Sequence, residues 1–340
     1  MPKSSDMVPK SAGIGPGDSG PEVRKVQRYL ERFGYLQSAT VERFGVTGGL
    51  AEGPAESGSF DDNTREALAT FQARYGLEPT GQVDAATLEL MKKPRCGFPD
   101  TAEFVAQGNK WPNTNLRYGF QEFTPDLTQA EIRAAISTAL SYWAAVTPLT
   151  FTEVAFAANP EIKIRFVGGD HGDGSPFDGA SGVLAHAYYP PPNGGDIAGD
   201  SHFDEAETWS VNLPPSGIDL YTVAAHEFGH ALGLAHSTVS GALMYPYYGG
   251  PHRFLAQDDI DGIQSIYGAL QWHTVTLGRV YATPHSMNAW AFLNGVGWRK
   301  IQPLSTDGVT NVFAMCCEAR TSGKAITVQA NATEILAAYF

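Results

Sequence analysis

The residues of this chain best placed to do chemistry lie between positions 226 and 236. They read His226-Glu227-Phe228-Gly229-His230-Ala231-Leu232-Gly233-Leu234-Ala235-His236. On a helix, positions i and i+4 share a face, so His226 and His230 can reach one metal ion together. Gly233 accepts backbone angles that other residues resist, so the helix can end there and the chain can swing back to deliver His236. Three neutral imidazole nitrogens suit zinc and leave its fourth tetrahedral position open. Glu227 stands beside that position, where a carboxylate can take a proton from water and pass it to a leaving amine. The competing reading is three unrelated histidines. A bare His-Glu-x-x-His arises by chance far more often than the motif extended by Gly233 and His236.

Two further sets of ligand types follow. His171, Asp173, His186 and His202 combine neutral imidazoles with one carboxylate, a closed four-ligand set of the kind that holds a structural zinc. Near them in sequence, Asp178, Asp204 and Glu207 flank a Gly-rich loop able to present backbone oxygens, which suits calcium; a solvated acidic surface is the alternative. Of the nine histidines, His252, His273 and His285 then remain and are read as ordinary residues. A thiol, Cys96, sits in Pro94-Arg95-Cys96-Gly97-Phe98-Pro99-Asp100. A thiolate could fill the vacant position of a three-histidine zinc and so keep water out.

These segments resemble a known family. The extended histidine motif, followed by Ala242-Leu243-Met244-Tyr245-Pro246, is similar to the metzincin zinc peptidases, in which Met244 would form a tight turn beneath the metal without ligating it. His171-Gly-Asp173-Gly-Ser-Pro-Phe-Asp178-Gly179, Gly182-Val183-Leu184-Ala185-His186 and His202-Phe-Asp204 narrow the likeness to the matrixins, the matrix metalloproteinase family. The resemblance implies that Gly179, Ser181 and Val183 offer carbonyls to a first calcium. A second calcium would use Asp200 and Glu161, although the family usually has aspartate where Glu161 stands. The Cys96 segment is similar to the matrixin cysteine switch, with Arg95 and Asp100 as its ion pair. Latency would then end with a cut between Asp100 and Trp111, by an activating protease, that leaves Phe104 as the new N-terminus. The resemblance also implies an extended peptide substrate lying along Val183-Leu184-Ala185. It would have a pocket under the zinc walled by Tyr245, Pro246, Tyr247 and Tyr248 and closed by Gly249 to Phe254, with Leu232 or a neighbour setting its depth.

The 340 residues allow two or three domains, and 43% hydrophobic content allows packed cores. Residues 1–16 read as a flexible tail. Residues 17–93 read as a small all-α unit: Val23, Val26, Leu30 and Phe33 repeat at helical spacing, as do Ala67, Leu68, Phe71 and Tyr75, and Asp84 to Met91 makes a short third helix. Gln37 to Gly58 reads as a long loop between them. Gly20-Pro21-Glu22-Val23 and Phe60-Asp61-Asp62-Asn63-Thr64 make this unit similar to the peptidoglycan-binding-like prodomain of matrixins. Residues 94–108 are the linker that carries Cys96. Residues 109–268 read as an α/β zincin-type catalytic domain, with a long helix from Thr128 to Ala145, strands at Asn115 to Phe120, Phe151 to Val154, Ile162 to Phe166 and Val183 to Ala187, and helices at Tyr221 to Leu232 and Gln257 to Tyr267.

Residues 269–340 read as a small all-β module, with strands at Thr274 to Tyr281, Ala289 to Leu293, Val312 to Cys316, Ala325 to Ala330 and Ile335 to Phe340. About 70 residues are too few for the four-bladed propeller that often ends a matrixin, so the resemblance stops at Gly268. Trp272, Trp290, Trp298, Tyr281 and Tyr339 at alternating spacing read as core, with a glycan or protein partner as the other reading. Cys316 and Cys317, as strand neighbours, would point to opposite faces.

The net charge of −13 argues against nucleic acid and anionic membrane as partners, and no apolar run is long enough to span a bilayer. No signal-peptide core is visible, so the chain stays in the cytoplasm, leaves by another route, or is shown without a leader; the resemblance implies an extracellular place. The sequence thus predicts a latent zinc endopeptidase with one catalytic and one structural zinc and one or more calcium ions. Two other readings stand beside it. One is a non-enzymatic cell-wall or glycan-binding protein with a relic metal domain. The other is a zinc-dependent wall amidase, against which His236 and Met244 both count.

Overall fold

The computed structural model describes residues 7–36, 57–100, 109–192, 195–213, 216–284, 288–302, 306–331 and 333–340. Most of the expected Gln37 to Gly58 loop, residues 1–6, the cut region 101–108 with Phe104, and His285 lie outside these residues.

The chain divides into two units, of which the first comprises Met1–Pro112, Arg117–Leu140 and Glu153–Ile266. Its leader holds helices α1 (Pro21–Arg32), α2 (Asp62–Arg74) and α3 (Ala85–Met91). Pro21 opens α1, where a missing N–H costs nothing. Asp61 and Asp84 cap α2 and α3 by accepting from the Thr64 and Thr87 amides. Val26, Leu30, Phe33, Leu68 and Phe71 form the buried centre of this leader. Residues 7–16 correct the expected flexible tail. Ile14 bridges Val83, with Val83 N donating to Ile14 O at 2.8 Å, and Met7 and Ile14 are buried.

A six-stranded sheet follows, ordered β1-β5-β6-β4-β2-β3. Its strands are β1 (Arg95–Cys96), β2 (Asn115–Phe120), β3 (Thr150–Glu153), β4 (Ile162–Val167), β5 (Val183–Ala187) and β6 (Ser201–Asp204). β5 runs antiparallel to β6, and β1 runs parallel to β5. A long helix, α4 (Gln129–Ala144), buries Ile132, Ala135, Ile136, Ala139, Leu140 and Trp143 at helical spacing. After the short strands β7 (Trp209–Ser210) and β8 (Ile218–Asp219) comes helix α5 (Leu220–Ala231), which packs against β5 and β6. Asp219 caps α5 by accepting from the Thr222 amide. Gly233, with φ 108°, turns the chain at the far end, and a Cβ there would come within 2.4 Å of the Asn109 carbonyl oxygen. Helix α6 (Gln257–Tyr267) ends this part of the chain.

The second unit comprises Asn113–Leu116, Ser141–Thr152 and Tyr267–Phe340. The all-β expectation for 269–340 is corrected. Strands β9 (Gln271–Val275), β10 (Leu277–Ala282), β11 (Ala289–Leu293), β12 (Gly297–Ile301), β13 (Ile326–Ala330) and β14 (Glu334–Tyr339) form one sheet ordered β10-β11-β12-β14-β13-β9. A helix, α7 (Thr306–Ser322), packs on β10, β11, β12 and β14. Val309, Cys316 and Ala319 are buried on it at helical spacing, so the run read as a strand at Val312 to Cys316 belongs to this helix. The aromatics read as core are largely outside it: Trp272, Tyr281, Trp298 and Tyr339 are 49%, 54%, 42% and 53% exposed. Trp272 and Tyr339 instead meet each other, with ring centroids 5.3 Å apart.

Candidate metal centres and the segment that covers them

His226 and His230 lie one turn apart on α5, and the turn at Gly233 returns the chain so that His236 joins them. The ligand atoms of Cys96, His226, His230 and His236 all fall within 4.8 Å of one another, and all four residues are buried. Each imidazole is oriented from behind. His226 Nδ1 donates to the Leu243 carbonyl at 2.7 Å, His230 Nδ1 to the Leu234 carbonyl at 2.7 Å, and His236 Nδ1 to Asp100 Oδ1 at 2.9 Å. With each Nδ1 committed as a donor, each Nε2 presents a bare lone pair. His226 Nε2 and His236 Nε2 are buried with no hydrogen-bond partner among the described residues, and Cys96 Sγ lies 3.5 Å from His230 Nε2. Burial holds His226 down at about 3 and His236 at about 4, so both rings are neutral at ordinary pH. Convergent neutral nitrogens beside a thiol are a donor set that fits zinc.

Glu227 is fully buried in the same place; burial pushes its carboxyl up to about 8, and the Cys96 thiol beside it draws it the other way. Met244 is buried in the turn after His236. Its amide and that of Leu243 donate to the Asp259 carboxylate, at 2.9 and 2.8 Å, so an acid in the first turn of α6 fixes the backbone that orients His226.

The Cys96 segment is threaded between two backbones. On one side Arg95 N donates to Gly182 O at 3.0 Å and Gly97 N to Ala185 O at 2.7 Å; on the other Cys96 N donates to Pro246 O at 2.9 Å and Tyr248 N to Pro94 O at 2.9 Å. It therefore occupies the edge of β5 that an extended peptide would use. Arg95 and Asp100 form an ion pair that is almost wholly buried. The Arg95 guanidinium lies 3.5 Å from the Phe33 ring centroid and donates to the Tyr29 and Tyr247 hydroxyls. Asp100 Oδ2 accepts from the Tyr35 hydroxyl at 2.9 Å. The two arginine-rich contacts of the leader reach further: Arg32 donates to Pro176 O at 3.0 Å and Arg74 to His236 O at 3.4 Å.

A cavity of about 730 Å³ opens beside the histidines. Its walls include Cys96, Leu184, His226, Glu227, Pro246 and Tyr247, and of the segment Gly249 to Phe254 the residues Gly249 to His252 also line it. Leu232, expected to set its depth, is fully buried elsewhere and does not line it; Thr222, one turn before His226, does.

The second cluster also assembles. Ligand atoms of His171, Asp173, His186 and His202 lie within 4.8 Å of one another. Asp173 Oδ2 is 2.7 Å from His171 Nε2, 2.8 Å from His186 Nε2 and 2.8 Å from His202 Nδ1. Burial alone would raise the Asp173 carboxyl, but the three imidazoles hold it far below the usual carboxylate range. Around it, Asp178 accepts from Val183 N, Asp204 from Gly179 N and Glu207 from Ser181 N. Burial raises all three carboxyls, Glu207 to about 7, and each of Asp204 and Glu207 is raised further by its acidic neighbours. The trio faces one loop without closing to the spacing of the two clusters above. Of the residues expected at a second calcium, Glu161 is ion-paired to Arg117 at 2.7 Å and Asp200 to Lys163 at 3.1 Å.

Several residues of the site carry no local motif. Asp100 orients His236 from 136 positions away, and Asp259 holds the methionine turn. Their signal in the sequence is confined to acids beside recognisable motifs.

Residues 110–268 match the family model described as Matrixin, and residues 19–91 match the one described as "Putative peptidoglycan binding domain". The chain is 48% identical over 253 residues to an interstitial collagenase of Equus caballus, covering 74% of this chain and 50% of that protein. It is 49% identical over 263 residues to that of Bos taurus (76% and 52%), and 44% identical over 250 residues to a neutrophil collagenase of Homo sapiens (72% and 50%). The chain thus spans about half the length of the curated relatives it matches.

Proposed function

We propose that the chain, whose residues 110–268 match the matrixin family model, is a latent zinc endopeptidase acting on extended protein substrates outside the cell. The observation that carries the latency is Cys96 Sγ among three imidazoles that have no other partner for their bare nitrogens. His226, His230 and His236 would hold the catalytic zinc, and the Cys96 thiolate its fourth position. His171, Asp173, His186 and His202 would hold a structural zinc. Asp178, Asp204 and Glu207, with carbonyls of Gly179, Ser181 and Val183, would hold calcium.

Zinc, when bound, supplies a Lewis acid that acidifies water and steadies the developing oxyanion. The protein does the rest. The β5 edge at Leu184 and Ala185 and the Pro246–Tyr247 backbone, freed of the Cys96 segment, pair with a substrate main chain. Glu227 takes a proton from the attacking water at its carboxylate and hands it to the leaving nitrogen. Substrates of the extracellular-matrix kind are in keeping with the collagenase relatives. No helix among the described residues is long and apolar enough to cross a membrane.

The test is a gelatin or casein assay of the intact chain before and after an organomercurial or a trypsin-like protease, with zinc content measured throughout. Activity that rises from near zero on treatment is the expected result. Full activity beforehand would remove latency, and a zinc-loaded, treated protein without activity would remove the peptidase.

A further inference from the structure

We propose that the open face of the C-terminal sheet is a docking surface for an acidic polysaccharide. Ala289, Ala291 and Leu293 of β11 are buried in the core shared with α7, so Trp290 and Phe292, which alternate with them, point to the other face. Strand pairing extends that face. Trp290 lies opposite Tyr281 of β10 and Lys300 of β12, and Phe292 lies opposite Arg279 and Trp298. Directly opposed residues share a face, so four rings and two cations form one ladder, with neighbouring strands about 5 Å apart. Tyr281 and Trp298 are 54% and 42% exposed. The rings are also held in place. Trp298 meets the Phe292 ring with centroids 5.5 Å apart and planes at 72°. The Trp290 indole donates to Asn288 Oδ1 at 2.8 Å, and Asn288 Nδ2 donates to the Thr283 hydroxyl at 2.8 Å. Rings fixed in this way lose little freedom when a ligand stacks on them.

A ladder of rings on a sheet offers stacking surfaces rather than the recess that a protein side chain fills, and the apolar faces of sugar rings repeat along a polymer. Charge selects among such polymers. Residues 269–340 hold five Lys and Arg against three Asp and Glu, a net of +2 in a chain whose total is −13. Two of the three acids, Asp307 and Glu318, belong to α7, on the covered side of the sheet. The third, Glu334, lies opposite Lys300 and offsets its charge. Arg279 is exposed beside Phe292 and remains to meet an anion. Nucleic acid has stacking faces too, but its dense phosphates would find a single uncompensated cation on this face among the described residues, and a strongly acidic chain elsewhere. The sparser carboxylates or sulfates of a polysaccharide match a surface with many rings and few cations.

The full chain is run in affinity electrophoresis through gels containing hyaluronate, chondroitin sulfate, neutral dextran or double-stranded DNA, at low and high salt. At least one of the two acidic polysaccharides retards it, dextran and DNA do not, and salt weakens the retardation. Trp298→Ala raises the apparent Kd by about three- to tenfold, the worth of one stacked ring. Arg279→Gln raises it by about threefold and flattens the salt dependence. Both side chains are exposed, so both variants keep the parent's melting temperature and, once latency is released, its casein cleavage. Retardation by neither acidic polymer, equal retardation by dextran or DNA, or retardation that survives the two substitutions together overturns the inference. So does self-association or capture by gelatin that Trp298→Ala abolishes, since the face would then dock protein. None of these outcomes touches the peptidase reading, which casein cleavage tests separately.

Discussion

Glu227 is a carboxylate placed where it cannot rest as an ordinary acid. Burial pushes it up to about 8, with the Cys96 thiol beside it drawing it the other way, so near neutral pH it can both accept and return a proton. Glu227→Gln keeps the shape and leaves the three imidazoles and their Nδ1 acceptors untouched. The variant should retain its zinc by metal analysis and lose at least about 100-fold in kcat, the low end for a general base. Undiminished turnover would take Glu227 out of the chemistry. Asp100 is the opposite kind of residue, since it serves two masters: Arg95 on its own segment and His236 across the site. Asp100→Ala would strand a buried guanidinium, a loss of about 3–5 kcal/mol for a pair of this type. The intact variant should therefore cleave casein before any cut; a variant as silent as the parent would show that the pair does not hold the switch closed. At this scale the ligands were legible because their spacing is local: i, i+4 on a helix, then a glycine. Asp259 was not, and Asp100 was read only as the partner of Arg95, because the contacts that orient His226 and His236 are made across 15 and 136 residues of chain.

The strand β1 has only two residues, yet it links the leader to the catalytic sheet, because backbone bonds on both sides hold it. Its weak point is steric. Gly97 lies so close to β5 that an added Cβ would stand 2.6 Å from Val183 Cγ1 and 3.3 Å from Ala185 O. Gly97→Ala must push the Cys96 segment off the β5 edge while leaving the metal ligands unchanged. We expect measurable peptidase activity from the uncut variant, with the same final activity as the parent after an organomercurial. Unaltered latency would mean that the segment can tilt at no cost. Elements of the catalytic domain were legible because each shows one clear period, helical over Ile132 to Leu140 and apolar over Val183 to Ala187. The C-terminal helix α7 was misread because the short window Val312–Cys316 suits either a strand or a helix. Widening it to Val309, Cys316 and Ala319 shows the helical period, which the burial of those three residues follows. The aromatic strands were misassigned for a different reason: alternation says that two faces differ, not which of them is covered.

Across the whole molecule, acids outnumber bases by 36 to 23, and near the end of β6 the charges of Asp178 and Asp204 raise the carboxyls of their acidic neighbours. Burial raises all three carboxyls above their ordinary values, Glu207 to about 7, and the nearby cation Arg32 relieves only Asp178. A carboxyl whose folded value is raised favours the fold while protonated. Without calcium, that contribution is therefore complete below the unfolded values near 4 and is lost as pH rises through 7. A bound calcium would reverse the balance by giving the ionised oxygens a cation to coordinate. Added calcium should thus raise the melting temperature little at pH 5 and more at pH 8. The difference should be about 3–6 °C, because each kcal/mol moves a domain of this size by about 2–4 °C. The measurement is thermal unfolding with calcium or a calcium-selective chelator at both pH values, with zinc held constant. Equal shifts at the two pH values would show that these carboxylates are not the calcium ligands, and the acidic loop would then be a solvated surface whose cost the rest of the fold absorbs.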